Sequence, residues 1–336
     1  MLVVMHKDAT QRQIRKVCKL IKEMGLTPHP IKGAQRVAIG ITGNKEMVDT
    51  RRIENLEGVI NIIHVTQPYK LTGREMKPDD TKIKIGNVVI GGKKAVIIAG
   101  PCAVESERQM INIARAVKSI GADMLRGGAF KPRTSPYSFQ GLGEEGLKIL
   151  ARAGKENKLP VVSEVVDTEM FSLVEEYVDV IQIGARNMQN YALLKRAGKS
   201  KKPILLKRGM ASTIQEFLLA AEYIMSEGNY NVILCERGIR TFSDFTRFTL
   251  DISSIPELKK ISHLPVIVDP SHASGKRDMV LPLSRAAIAA GADGIIVEVH
   301  NNPERALSDG PQSLTIKGFE ILMNEIKTIA NAINRI

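Results

Sequence analysis

The pattern of apolar and polar positions divides the chain into two stretches of different periodicity. In residues 1–66, Leu2–His6 alternates as a strand does. Thr10–Met24 places Ile14, Val17, Cys18, Leu20 and Ile21 at helical spacing, and Gly25 is a natural stop. Leu26–Ile31 and Arg36–Thr42 predict two strands about a Lys32-Gly33-Ala34-Gln35 turn. Lys45–Leu56 predicts a second helix and Val59–Thr66 a last strand. The order βαββαβ is that of a ferredoxin-like α+β unit. Residues 67–81 hold Pro68, Gly73, Pro78 and several charges without clear periodicity, as a linker does. Lys82–Ile85 and Val88–Ile90, meeting at Gly86-Asn87, predict a hairpin able to plug the N-terminal mouth of the larger unit beyond it.

From Lys94 onward, strand and helix patterns alternate. Candidate strands are Ala95–Ala99, Met124–Arg126, Pro160–Glu164, Val180–Ile183, Pro203–Lys207, Val232–Cys235, Pro265–Val268 and Gly294–Glu298. Their continuous apolar runs read as strands buried on both faces. Helical patterns between them include Glu107–Ile120, Glu144–Asn157, Gln189–Ala197, Thr213–Glu227 and Leu281–Ala290, with a last helix near Lys317–Ile336. Residues 82–336 therefore predict an α/β fold, a (β/α)8 TIM barrel, behind a small N-terminal ferredoxin-like α+β domain. The connecting helix is hardest to place in Gly238–Lys260. The alternative is an open doubly wound sheet, but no Gly-x-Gly-x-x-Gly comes after the first strand.

Composition narrows the function. No apolar run approaches the length that spans a bilayer, and Met1-Leu-Val-Val-Met-His-Lys7 lacks a signal-peptide layout. Three widely spaced cysteines, Cys18, Cys102 and Cys235, argue against a disulfide framework and for the reducing cytoplasm. The net charge of +12 is spread along the chain, with only 4% aromatic residues. That favours anionic small substrates over a nucleic acid or a membrane surface.

Chemistry gathers at the strand ends, where barrels place their sites. In order these ends carry Cys102, Arg126 followed by Lys131-Pro132-Arg133-Thr134, Glu164, Arg186, Lys207, Arg237, Asp269 with His272, and Glu298 with Asp309 beyond. Cys102, His272, Glu298 and Asp309 form a mixed S, N, O, O set suited to a divalent transition metal. Their spacing alone leaves another reading open, with Cys102 a small core residue and His272 a hydrogen-bonded loop residue. Arg126, Lys131, Arg133, Arg186, Lys207 and Arg237 form a cationic set that needs anions between its members, such as phosphates and a carboxylate. Lys131 is the candidate for polarising or protonating a substrate oxygen, with a pKa expected to fall on burial among cations. Arg208 and Arg196 read as surface charges in local ion pairs.

The motifs Gly100-Pro-Cys-Ala-Val-Glu105, Leu125-Arg-Gly-Gly128, Lys131-Pro-Arg-Thr-Ser-Pro136, Ile183-Gly-Ala-Arg-Asn187, Leu206-Lys-Arg-Gly209, Cys235-Glu-Arg-Gly238, Asp269-Pro-Ser-His272 and Ile296-Val-Glu-Val-His300 resemble those of the 3-deoxy-D-arabino-heptulosonate 7-phosphate (DAHP) synthases. The match is to the short-barrel subfamily, and the front domain resembles the ferredoxin-like regulatory extension of some members. The resemblance implies condensation of phosphoenolpyruvate with erythrose 4-phosphate. It implies a divalent metal (Mn2+, Fe2+, Co2+ or Zn2+) on Cys102, His272, Glu298 and Asp309. Arg186, Lys207 and Arg237 would hold the phosphoenolpyruvate phosphate, with Arg126 and Lys131 near its carboxylate and the reacting centre. Lys131, Pro132, Arg133 and Thr134 would line the erythrose 4-phosphate site. Asp269 would stand beside the metal or the substrate, and Glu164 would position a water. Feedback inhibition by tyrosine or phenylalanine in a homotetramer is implied, with His29 near the effector or else an exposed loop histidine. The alternatives are the sibling 3-deoxy-manno-octulosonate 8-phosphate synthase and a non-catalytic sensor on the same barrel.

Overall fold

The structure is a computed structural model that describes residues 1–33, 36–43, 48–63, 68–133 and 135–335, the side chain of Lys32 excepted. Part of the predicted turn, the start of the helix Lys45–Leu56, the end of the strand Val59–Thr66 and the site candidate Thr134 lie outside the described residues.

The first unit runs β1 (Leu2–Met5), α1 (Gln11–Glu23), β2 (Thr27–Lys32), β3 (Val37–Thr42), α2 (Arg51–Glu54) and β4 (Val59–Ile63). The strands form one sheet in the order β2-β3-β1-β4. Thr10 starts α1 with a capping box: its hydroxyl accepts from Gln13 N, and the Gln13 side chain accepts from Thr10 N. One face of the sheet, through Val3, Met5, Ile39 and Ile41, packs on Ile14, Val17 and Ile21 of α1 and Ile53 of α2. The other face meets the rest of the chain: Leu2, Val4, Ile31 and Ala38 join the cluster that contains Tyr69, Leu71 and Met76.

The segment expected to be a linker is thus a packed strap. Its apolar residues at 69, 71 and 76 are buried. The Glu222 carboxylate accepts from the backbone N–H groups of Lys70, Leu71 and Thr72 at 3.0, 2.7 and 3.0 Å. His263 bonds Leu71 O at 2.7 Å and Thr81 Oγ1 at 2.8 Å. Gly40 of β3 makes room for the strap, since a Cβ there would sit 2.2 Å from Met76 Cε.

A hairpin of β5 (Ile83–Ile85) and β6 (Val88–Ile90) leads into β7 (Val96–Gly100), α3 (Glu107–Ile120), β8 (Met124–Arg126), α4 (Gly143–Asn157), β9 (Val161–Val165), α5 (Phe171–Tyr177), β10 (Val180–Ile183), α6 (Tyr191–Gly198), β11 (Ile204–Lys207), α7 (Ile214–Ser226), β12 (Val232–Glu236), α8 (Ser254–Ile261), β13 (Val266–Val268), α9 (Pro270–Ser274), α10 (Arg277–Ala289), β14 (Gly294–Glu298) and α11 (Ile316–Ala332). Strands β7 to β14 are parallel and close into a barrel, with β14 pairing back to β7. In Gly238–Lys260 the only helix is α8. Before it the chain doubles back on itself at the Ile239–Thr249 bridge.

The barrel register explains where the polar residues go. Ile98, Met124, Val162, Leu205, Cys235, Ile267 and Ile296 form an interior cluster that also takes in Ile83, Ile85, Val88 and Ile90 of the hairpin. Side chains alternate along a strand, so the residue two positions on faces inward again. Met124 is succeeded in this sense by Arg126, Val162 by Glu164, Leu205 by Lys207, Cys235 by Arg237, Ile267 by Asp269 and Ile296 by Glu298. The polar layer at the C-terminal end is the continuation of the apolar interior. No helix among the described residues is long and apolar enough to cross a membrane, and Cys18, Cys102 and Cys235 are free thiols.

Candidate active site

Four side chains converge where β13, β14 and β7 end. One ligand atom from each of Cys102, His272, Glu298 and Asp309 lies within 4.8 Å of all the others. Each arrives for a local reason. Gly100 lets β7 turn tightly against β8, because a Cβ there would meet Arg126 O at 2.1 Å. The β14–β7 register places Glu298 opposite Gly100, two residues before Cys102. His272 belongs to α9, which has Pro270 in its first turn and Asp269 as its N-cap. The cap carboxylate accepts from His272 N at 2.9 Å and faces His272 Nδ1 at 2.7 Å. A carboxylate only accepts, so Nδ1 carries the proton. Nε2 is left pointing at Glu298 Oε1, 3.2 Å away, and Asp309 Oδ2, 4.0 Å away. Asp309 sits in the left-handed region at φ 53°.

The electrostatics of this cluster suit a cation. Burial alone would raise both carboxyls. His272, with Arg126, outweighs it for Glu298. His272, the Cys102 hydrogen bond and Arg247 outweigh it for Asp309 and hold it down at about 2. Burial and the neighbouring Glu298 push the Cys102 thiol up to about 12. Its Sγ lies 3.1 Å from Asp309 Oδ2 and from Ser308 Oγ. Two carboxylates, an imidazole nitrogen and a sulfur converging on one point fit a divalent transition metal.

Beside the cluster opens a cavity of about 610 Å³, lined by Lys131, Pro132, Arg133, Arg186, Lys207, Arg237, Glu164, His272 and Asp309 among others. Lys207 forms an ion pair with Asp269. Arg237 stacks on Phe248 at 4.2 Å. Arg237 Nη1 and Arg133 Nη2 are buried without a hydrogen-bond partner among the described residues. Buried donors are rarely left unpaired, and two in one cationic cavity are what a bound anion would satisfy. Glu164 accepts from Gln182 Nε2 at 2.9 Å. Gly184 leaves it space, as a Cβ there would lie 2.0 Å from Glu164 Oε1.

Family models match both parts of the chain. The DAHP synthetase I family model covers residues 74–333, and the DAHP synthase ferredoxin-like domain model covers residues 1–67. The chain belongs to the DAHP synthetase I family. Its activity is that of a DAHP synthase, an enzyme of the transferase class. The phospho-2-dehydro-3-deoxyheptonate aldolase of Thermotoga maritima is 53% identical over 333 residues, 99% of this chain and 98% of that protein. A crystal structure of that DAHP synthase matches with a TM-score of 0.80 over 99% of this chain and 98% of its own, at 52% identity. A truncated form of the Thermotoga maritima enzyme matches at 0.75 and 51% identity, covering 80% of this chain and 98% of its own. The 2-dehydro-3-deoxyphosphooctonate aldolase of Fusobacterium nucleatum is 35% identical over 77% of this chain and 97% of its own length. The octulosonate branch is therefore the more distant one.

Five of the six expected cations line the cavity; Arg126 does not. It lies beneath, with Nη1 2.8 Å from Glu298 Oε1. Arg208 was expected at the surface but is buried, paired with Glu236 at 2.8 Å and Asp251 at 2.9 Å. Arg196 does pair locally, with Glu175 at 3.1 Å. The expected fall in the Lys131 pKa is corrected as well. Burial lowers it, but the Cys102 sulfur, 3.0 Å from Nζ, more than offsets this, and the net direction is up. His29 is buried, not an exposed loop residue: Nδ1 lies 2.7 Å from Tyr230 Oη and Nε2 2.8 Å from Thr42 Oγ1. Sequence reading missed Arg240, Arg247 and Phe248 of the cavity wall. All three fall in the stretch that lacks a readable periodicity.

Proposed function

We propose that the cavity holds phosphoenolpyruvate and erythrose 4-phosphate together and joins them, with water, into 3-deoxy-D-arabino-heptulosonate 7-phosphate and phosphate, the first step of the shikimate pathway to aromatic amino acids. The observation that carries this reading is the cavity beside the donor cluster, with two buried guanidinium nitrogens in its wall that have no partner among the described residues. Arg186, Lys207 and Arg237 bind the phosphoenolpyruvate phosphate. Pro132 and Arg133 face erythrose 4-phosphate, a site to which the motif also assigns Thr134. Carbon 3 of phosphoenolpyruvate attacks the aldehyde, water adds at carbon 2, and phosphate leaves by cleavage of its C–O bond. Lys131 stays protonated beside the reacting oxygens, and Glu164 positions the water. Asp269 orients His272 and neutralises Lys207. A divalent ion (Mn2+, Fe2+, Co2+ or Zn2+) on Cys102, His272, Glu298 and Asp309 would supply Lewis acidity toward the aldehyde or a water.

Phosphate release from phosphoenolpyruvate is expected with erythrose 4-phosphate. Release with arabinose 5-phosphate alone would point to the octulosonate reaction, and none with metal present to a sensor. Arg237→Ala should raise the KM for phosphoenolpyruvate roughly 10- to 100-fold, since a charge-assisted hydrogen bond contributes about 1.5–3 kcal/mol. An unchanged KM removes Arg237 from the phosphate site.

The front domain is read as the sensor of an aromatic amino acid, in a cytoplasmic homotetramer. His29 is the candidate contact, and because Tyr230 and Thr42 already engage its ring, an effector would have to compete with them. Deleting residues 1–66 while keeping the strap should leave kcat near that of the full chain and abolish inhibition by tyrosine and phenylalanine. A full-length enzyme that neither amino acid inhibits would make the domain structural.

A further inference from the structure

Arg247 lies in the excursion between β12 and α8 and has no part in the proposed reaction. Its guanidinium meets Asp309 Oδ1, with Nη1 at 3.4 Å and Nη2 at 3.3 Å. The other oxygen of that carboxylate, Oδ2, is the one that faces Cys102 Sγ and His272 Nε2. Arg247 therefore sits on the back of the ligand, where it fixes which oxygen turns inward. The backbone of the same residue is tied to the α9 turn: Arg247 N donates to Ser274 O at 2.9 Å and Phe248 N to Ala273 O at 2.8 Å. Those acceptors come directly after His272. Gly275, at φ 67°, lets the stem lie flat, because a Cβ there would meet Arg247 Cβ at 3.0 Å and Nε at 3.1 Å. Arg247 also borders the cavity. One residue thus joins the His272 turn, the Asp309 carboxylate and the cavity wall.

We propose that Arg247 is a positioning residue for the metal centre, holding the Asp309 carboxylate in its ligating orientation and tying it to the turn that carries His272. The inference rests on the metal reading of the four-residue cluster. Outer partners of a ligating carboxylate orient it, and their loss costs roughly 10- to 100-fold in metal affinity. Asp309 has particular need of such a partner, since its left-handed backbone must be held by its surroundings.

The test is a Co2+ titration of the metal-free full chain, with affinity read by chelator competition and by thiolate-to-cobalt absorption. Arg247→Gln keeps the stem that packs on Gly275; Arg247→Lys keeps the charge. Arg247→Gln should bind Co2+ at least about 10-fold more weakly than the parent, with Arg247→Lys between them. The kcat of Arg247→Gln should recover most of the parent value when Co2+ is raised to saturation. Equal affinity in parent and Arg247→Gln overturns the inference and leaves the metal reading standing. So does unchanged affinity with a raised KM for either substrate, which would make Arg247 a substrate ligand. A parent that takes up no Co2+ overturns the metal reading, and this inference with it. Thermal unfolding of the metal-free proteins guards against a folding defect, and if Arg247→Gln fails that check, Arg247→Lys decides by the same comparison.

Discussion

Cys102→Ser is expected to bind a divalent metal more than about 100-fold more weakly than the parent, and to lose activity in proportion. Replacing an outer partner alone costs 10- to 100-fold, and a ligand itself should cost more. The structure makes the reason specific. Serine keeps the shape of the buried position and a polar atom near Lys131 Nζ, but its hydroxyl does not ionise, whereas a bound metal requires the thiolate. Burial pushes the free thiol up to about 12, so at neutral pH it holds its proton. Both carboxylates are held low and are already ionised there. Metal uptake must then displace the Cys102 proton. The apparent affinity therefore rises with pH below about 12, roughly tenfold per unit for one proton released. In Cys102→Ser that contribution disappears along with the thiolate absorption band. A serine variant that binds Co2+ as tightly as the parent would take Cys102 out of the ligand set, and full activity after exhaustive chelation would remove the metal from the reaction.

Much of this site was readable because period-two alternation carries the apolar interior straight into it. Once Ile267 and Ile296 are inward, Asp269 and Glu298 must be too. The same rule delivers Arg126, Glu164, Lys207 and Arg237. It fails where no strand carries the residue. Arg247 and Phe248 lie on an excursion pinned by Ile239 and Thr249, whose tip shows Phe242 and Phe245 to solvent. Residues there alternate between wall and water with no fixed period. Residues 68–81 misled for the opposite reason. Proline, glycine and charge are the marks of a linker, yet Leu71 and Met76 are fully enclosed, by contacts to partners far away in sequence. The His29–Tyr230 bond likewise joins residues 201 positions apart. Arg208 comes after Lys207 at a strand end and read as a solvated charge. Its partner Glu236, one strand over, is what lets it be buried.

Lys131→Met is expected to lower kcat by about 10²- to 10⁴-fold, the usual span for losing a positioned proton donor, with Co2+ still bound. Which form of the lysine works is decided by what surrounds it. The strand-end residues pointed to a crowd of cations that would lower its pKa while it polarised or protonated a substrate oxygen. In the folded chain Nζ instead donates to Cys102 Sγ at 3.0 Å and to Cys102 O at 3.1 Å. Burial and Arg126 oppose the charge, but the sulfur and its hydrogen bond prevail, and the pKa moves above its ordinary value. A raised ammonium pKa keeps the proton on through neutral pH, so Lys131 is expected to act as a charge and an acid. Its loss should lower the pH–kcat profile evenly between about pH 6 and 9 without moving either limb. If the parent shows a limb near about pH 7–8 that vanishes in Lys131→Met, the lysine works as a neutral base and this assignment is wrong. Lys131→Arg restores charge but not geometry, because a planar guanidinium does not fit the two acceptors that one ammonium bridges. It should recover little of the lost rate, and substantial recovery would mean that bulk positive charge, not placement against Cys102, is what the reaction needs.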